Sequence, residues 1–292
     1  MNIVLYGRNI QNEHIPYLDH LLKTFEQRKI KPFVFENFYD DWKNRISVKP
    51  VLEIIKTGSE LPSNIDFIFS IGGDGTLLNS INVVKNSGIP ILGINTGRLG
   101  FLSGVGTEEI DYAINALVKK DFTIDSRSLL NLKTENDLFG DLNSALNEIT
   151  VRATDTNSMI TIHAYLNDKL LNSYWADGLI ISTPTGATAY SLSCGGPIVS
   201  PNCENFVITP ISPHNLNVRP IVISDKDVIK LKVEGRVDKF LVSLDSRSKT
   251  ITSDVELIIS KANYQINLVR LANHEFLSTL RKKLMWGADK RN

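Results

Sequence analysis

Short apolar runs alternate with stretches of helical period along the N-terminal part of the chain, and this alternation narrows the possible folds more than any other feature. Residues 2–6 (NIVLY) read as a buried strand ending at Gly7, followed over 16–29 by Tyr17, Leu18, Leu21, Leu22 and Phe25 at helical spacing. PFVFE at 32–36 and DFIFSI at 66–71 read as further strands, with a helix expected over Val48 to Ile55. A helix over 76–86 then leads into IPILGI at 89–94, and 107–119 is again helical. Strands joined through helices run parallel with crossover connections, so residues 1–124 are expected to form an open α/β sheet whose ligands sit at the carboxyl ends of its strands.

The texture then changes. LLNLKT, ALNEITV, MITIHAY, DGLIIST, FVITPI, PIVI, DVIKLKV, KFLVSL, VELIIS and YQINLVR are short β-rich segments separated by turn residues. They predict a mainly antiparallel, sandwich-like second domain over 125–266. HEFLSTLRKKL is amphipathic enough for a helix, so 267–292 is expected to return to the first domain. Two domains suit 292 residues, since one core usually serves roughly 100–200.

Lys plus Arg and Asp plus Glu number 32 each, so no net field draws the chain to nucleic acid or an acidic membrane. Cys194 and Cys203 are too few for a disulfide framework and lack zinc-site spacing, and the five histidines are scattered without paired spacing. The start MNIVLYGRNI has no basic, apolar and small-residue export pattern, and no apolar run approaches the ~18 residues of a membrane span. A cytoplasmic protein with reduced thiols is expected, with no nucleic-acid or membrane partner and no metal held by protein ligands alone.

IFSIGGDGTLLNSI at 68–81 places glycines and a carboxylate where a buried strand gives way to a helix. Alone, Gly-Gly-Asp is more often a tight turn whose aspartate caps the helix. In a strand-to-helix setting, Gly72, Gly73 and Gly75 let the backbone approach a ligand, and the N–H groups entering the helix from Thr76 suit phosphate. Asp74 would lie beside that phosphate, placed to take a proton from a hydroxyl or to help hold Mg²⁺. Neither a Walker A loop nor a GxGxxG after the first strand is present.

GGDGT at 72–76, NTGRLGFL at 95–102, NE at 147–148, DGLIISTPTGATAYSLSCGGPI at 177–198 and ITPISPHNLNVRPIV at 208–222 stand in the order of the NAD kinase signature, and the chain resembles that family over most of its length. GGDGT is shared with lipid kinases and phosphofructokinases; the DG…STPTG…TAY…GGP block is more specific. The resemblance implies a Rossmann-like domain followed by a β-rich one, with the active site between them. It implies transfer of a phosphoryl group from ATP, or in some members polyphosphate, to the 2′-hydroxyl on the adenosine side of NAD, with Asp74 as general base. Asn147 is implied to bond the adenine, Glu148 a ribose and Asp177 the nicotinamide half, while Thr188, Ala189, Tyr190 and Ser193 line the adenosine; Gly75 also contacts NAD. Asn95, Thr96, Gly97 and Arg98 are expected to join Gly72, Gly73, Gly75 and Thr76 on phosphates, with Mg²⁺ or another divalent cation held mainly by those phosphates.

Without the resemblance, Asn147–Glu148 reads as a strand edge or bulge, Tyr190 as core, and Arg98 as a solvated turn residue. Arg219 is read as structural and Cys194 as packing. Trp175 stands where the family often has a basic or small residue, which bears on how the dinucleotide is held and on NAD against NADH. Family members are commonly homo-oligomers, so a homodimer or homotetramer is expected. A lipid kinase of the diacylglycerol or sphingosine type and a non-catalytic dinucleotide-binding regulator are the alternatives.

Overall fold

A computed structural model describes residues 1–97, 100–155, 159–272 and 274–285. In chain order the elements are β1 (Asn2–Gly7), α1 (Ile15–Gln27), β2 (Lys31–Phe35), α2 (Glu36–Trp42), β3 (Glu53–Ile55), β4 (Phe67–Ile71), α3 (Asp74–Val84), β5 (Ile91–Asn95), β6 (Val105–Gly106) and α4 (Ile110–Lys119). There follow β7 (Thr123–Lys133), β8 (Ser144–Ala145), β9 (Glu148–Ala153), β10 (Ile160–Leu166), β11 (Lys169–Ala176), β12 (Gly178–Ser182), α5 (Tyr190–Ser193) and β13 (Asn205–Ile211). The chain closes with β14 (Ile221–Ser224), β15 (Ile229–Gly235), β16 (Phe240–Leu244), β17 (Arg247–Ile251), β18 (Leu257–Arg270) and α6 (Phe276–Leu284). Two compact units result, Met1–Ser126 with Ile266–Asn292, and Arg127–Gln265.

In the first unit, strands β5, β4, β1, β2 and β3 lie side by side and all parallel. Both faces of such a sheet are covered, which explains near-continuous runs such as Ile3, Val4 and Leu5, none of them exposed. Helix α1 buries Leu18, Leu21, Leu22 and Phe25, and α4 buries Ile110, Ala113, Ile114 and Leu117, in one core with β1, β4 and β5. The other edge of β5 carries β6 at Ile94 and the end of β18 at Ile91, both parallel.

The helix expected over Val48 to Ile55 does not form. Pro50 lacks an N–H and clashes with the preceding turn, and the last three residues pair instead as β3. The helix of this region is α2, directly after β2, with Phe38 and Trp42 one turn apart and both buried.

The second unit is antiparallel throughout its main ladders, as the β-rich texture predicted. One sheet runs β14, β13, β12, β9, β16, β17, and the other contains β11, β10, β15 and the first part of β18. Their inward residues, among them Ile162, Leu231, Leu179, Phe206 and Val242, share one core. Strands β11 and β17 went unpredicted because KLLNSYWA and RSKTI mix polar with apolar residues without clear alternation. VELIIS and YQINLVR are one strand, β18, whose first residues pair with β15 in this unit and whose last residues extend β5 in the other. No described helix is long and apolar enough to cross a membrane.

Candidate active site

In the first unit the chain leaves β4 at Ile71, turns through Gly72 and enters α3, whose first residue is Asp74. Gly72 has φ 146°, and a β-carbon there would come within 2.9 Å of the Thr76 β-carbon, so only glycine passes. Its N–H donates to Ile94 O at 2.9 Å, binding the turn to the end of β5. The Asp74 carboxylate then reaches across to the loop after β5. It accepts the Phe101 N–H on Oδ2 (2.8 Å) and the Leu102 and Ser103 N–H groups on Oδ1 (3.1 and 2.9 Å). A methyl group on Gly100 would overlap that carboxylate.

Asn95, the last residue of β5, is buried, and its side chain works inside the same loop. Its Oδ1 accepts the Gly97 N–H at 2.7 Å, and its Nδ2 donates to Ser103 O at 3.3 Å. Gly73, Gly75 and Gly97 are exposed, and Thr76 and Thr96 are half-buried. Arg98 lies outside the described residues. A cavity of about 630 Å³ opens beside Asn95, Thr96 and Gly97, with His14, Tyr17, His274 and Lys282 on its walls. Among the described residues no three His, Cys, Asp or Glu side chains stand together as a metal site.

The second unit assembles the remaining predicted residues. ALNEITV is interrupted between β8 and β9, and Leu146 to Glu148 are held from two sides. On one side Thr183 donates its hydroxyl to Leu146 O (2.5 Å) and its N–H to Asn147 O (2.9 Å). On the other, the Asp245 carboxylate accepts the N–H groups of Leu146, Asn147 and Glu148. Buried Arg127 steadies the following loop by donating from Nη1 to the Thr185 hydroxyl at 2.9 Å. That loop passes through a short turn at Gly186–Thr188 into α5, carrying Thr188, Ala189, Tyr190 and Ser193.

The Tyr190 N–H donates to the Glu148 carboxylate. Burial, reinforced by the neighbouring Asp245 carboxylate, pushes Glu148 up to about 8 against the pull of that N–H. Glu148 Oε2 is out of solvent with no hydrogen-bond partner among the described residues. Burial raises the Tyr190 hydroxyl, with Cys194 adding to it, while a hydrogen bond with Arg152 opposes both. Asp177 also faces Tyr190, from the turn between β11 and β12 where it is exposed. Burial raises the Cys194 thiol, the environment of an inert packing cysteine.

Trp175 is half exposed, its ring 4.9 Å from that of His214. Arg219 caps its own turn, donating to Leu216 O and Val218 O. The structure therefore gathers Gly72 to Thr76 with Asn95 to Gly97 in one unit, and Asn147, Glu148, Asp177 and Thr188 to Ser193 in the other. Sequence reasoning included Gly100 within NTGRLGFL without a role against Asp74, and missed Arg127, Thr183, Arg152 and Asp245. Of these, Thr183 had a signal, standing in the STPTG of the 177–198 block; Arg127, Arg152 and Asp245 carry no local pattern.

The ATP-NAD kinase N-terminal domain profile matches residues 24–122, and the ATP-NAD kinase C-terminal domain profile matches residues 146–271. The NAD kinase of Flavobacterium johnsoniae is 47% identical over 294 residues, and that of Christiangramia forsetii 48% identical over 294 residues, each covering 100% of both chains. The NAD kinase of Porphyromonas gingivalis strain W83 is 41% identical over 287 residues, 98% of each chain. Among solved structures, yeast NADH kinase complexed with NADH superposes with a TM-score of 0.84 at 20% identity, covering 99% of this chain and 89% of that one. An NAD kinase from Archaeoglobus fulgidus in complex with ATP gives a TM-score of 0.74 at 26% identity, covering 98% and 99%.

Proposed function

The chain belongs to the NAD kinase family, and from that premise we propose how its residues divide the reaction among them. The enzyme transfers the terminal phosphoryl group of ATP to the 2′-hydroxyl of the adenosine ribose of NAD, giving NADP and ADP. The relatives favour neither the lipid-kinase nor the regulator alternative.

Asp74 is the general base. A carboxylate offers about four acceptor positions. Two N–H groups occupy Oδ1 and one occupies Oδ2, so Oδ2 keeps a position for the ribose hydroxyl and can take its proton as the new P–O bond forms. The same three bonds hold the carboxylate still, so little reorganisation is needed at the moment of transfer. This clamp is the observation that carries the assignment. Gly73 and Gly75 offer backbone N–H groups and Thr76 and Thr96 hydroxyls to phosphate oxygens, Gly72 and Gly97, whose own N–H groups are engaged within the fold, let those oxygens come close to the backbone, and Arg98 adds its charge. Asn95 contributes by shaping that loop from within.

The Asn147 amide bonds the adenine and Glu148 a ribose hydroxyl. Thr188, Ala189, Tyr190 and Ser193 line the adenosine, Asp177 meets the nicotinamide half, and Gly75 lies against NAD beside Asp74. A divalent cation such as Mg²⁺, when bound, neutralises phosphate oxygens. The ligands of such a cation would be mainly those phosphates. We place the enzyme in the cytoplasm as a homodimer or homotetramer.

Incubating the purified protein with NAD, ATP and Mg²⁺ and following NADP tests the reaction, with NADH and a diacylglycerol as parallel acceptors. Asp74→Asn is expected to keep NAD binding but lose turnover by ~100-fold or more, the loss typical of a missing base. Unchanged turnover would remove Asp74 from the chemistry.

A further inference from the structure

Asn147 and Glu148 owe their backbone geometry to a residue nearly a hundred positions away. Strand β16 pairs with β9 up to Leu244 opposite Ile149 and then turns, so it offers no further carbonyl to the residues before Ile149. Asp245 occupies that turn in a left-handed conformation, φ 50°, which aspartate tolerates better than most residues. There its carboxylate substitutes for the missing strand. Oδ2 accepts the Leu146 N–H at 2.9 Å, and Oδ1 accepts those of Asn147 and Glu148 at 2.8 and 3.2 Å. The Asp245 N–H in turn donates to Glu148 O at 3.0 Å. Four hydrogen bonds thus tie one side chain and its own backbone to the three residues that end in the NE pair.

We propose that Asp245 is a positioning residue for NAD, holding the backbone from which Asn147 and Glu148 reach the dinucleotide. The inference rests on the assignment of those two residues to NAD made above. Removing the carboxylate would leave three N–H groups without their acceptor, while Thr183 and the backbone N–H of residue 245 would still hold the segment by its carbonyls.

Asp245 also sets the charge of its neighbour. The titratable groups facing Glu148 are Asp245 from the β16–β17 turn, Tyr190 at the start of α5 and Cys194 just after it; Arg247 faces Asp245 and donates to the Leu142 and Ser144 carbonyls. Burial raises both carboxyl groups, but Asp245 accepts three N–H groups beside a guanidinium, whereas Glu148 Oε2 has no donor among the described residues. The proton therefore resides on Glu148, which acts as a neutral hydrogen-bond donor below about 8. NAD covering the site excludes more water and favours the neutral form further, so the KM for NAD rises as Glu148 ionises. Without the like charge of Asp245, that ionisation begins at lower pH.

The test is steady-state kinetics of Asp245→Asn across pH 6 to 9.5, with unfolding followed by circular dichroism. The KM for NAD is expected to rise about tenfold at neutral pH, the size of one or two lost hydrogen bonds. The kcat and the KM for ATP should stay within threefold, and the high-pH rise in the NAD KM should start at lower pH than in the unsubstituted enzyme. A merely structural residue would lower the melting temperature without moving that pH limb. An NAD KM within twofold of the unsubstituted enzyme, or an unmoved limb, overturns the proposal. If Asp245→Asn does not fold, Asp245→Gly, which fits the left-handed turn, takes its place. If neither folds, the unsubstituted enzyme decides: a high-pH rise in NAD KM that Glu148→Gln abolishes supports the proposal, and a flat profile overturns it. Formation of NADP by the unsubstituted enzyme is scored separately, so failure of the family activity is not confused with failure of this inference.

Discussion

Glu148 sits in an environment far from that of the unfolded chain, and the departure has a sign. Its folded value of about 8 stands above the ordinary 4.5, so folding favours the protonated form. The associated stability is fully present below pH 4.5 and drains away as pH rises towards about 8. A loss on the order of 2–4 kcal/mol follows from about 1.4 kcal/mol per unit, reduced for coupling to Asp245. The ligand-free protein is therefore expected to melt at a clearly higher temperature at pH 5.5 than at pH 8, once other titrating groups are subtracted with Glu148→Gln, whose profile should be flatter. Equal slopes for the two proteins would show that Glu148 is ordinary. Glu148 itself was readable as part of an adjacent polar pair in a strand-like segment, but its protonation was not, because that depends on a carboxylate 97 positions away.

At the scale of elements, the start of α3 and the loop after β5 behave as one piece. The three N–H groups of Phe101, Leu102 and Ser103 converge on Asp74 only because the chain at Gly100 carries no β-carbon. Gly100→Ala must push the carboxylate or the loop aside, and overpacking of this kind costs about 1–3 kcal/mol. Turnover should fall at least ~10-fold, since a displaced Asp74 would lose the alignment proposed for it as base, with the fall in kcat exceeding the change in KM for either substrate. Thermal melting together with initial rates checks this, and a variant as fast and as stable as the parent would mean that the clamp does not hold Asp74 in solution. The GGDGT turn was legible because a buried strand, three glycines and a helix follow one another in sequence. The misplaced helix at Val48 to Ile55 had the reverse cause: apolar spacing suggested a helix, while Pro50 and an open edge beside β2 favoured a strand.

For the whole molecule the decisive fact is that the first unit is discontinuous. Residues from Ile266 onward return to it, placing Leu268 opposite Ile91 and burying Val269, Leu271 and Leu280. A chain ending at Gln265 would expose the edge of β5 and lose five buried apolar side chains, Ile266 among them, each worth roughly 1.5–3 kcal/mol. That exceeds much of the stability of an ordinary domain. The shortened protein is expected to be insoluble or to melt without a cooperative transition; a soluble chain with an unchanged melting curve would show the C-terminal segment to be dispensable.

The sequence by itself determined the α/β and β-rich halves, the glycine hinge bearing Asp74, and the motifs shared with the NAD kinase family, because periodicity, turn residues and contiguous motifs act between neighbours in the chain. Only the tertiary structure decided what holds those motifs in place: the Asp245 carboxylate under Leu146 to Glu148, Thr183 against Asn147, and the 101–103 backbone around Asp74. These are hydrogen bonds between groups up to 99 residues apart, and no local pattern records which distant acceptor will satisfy a given N–H once both are drawn out of water.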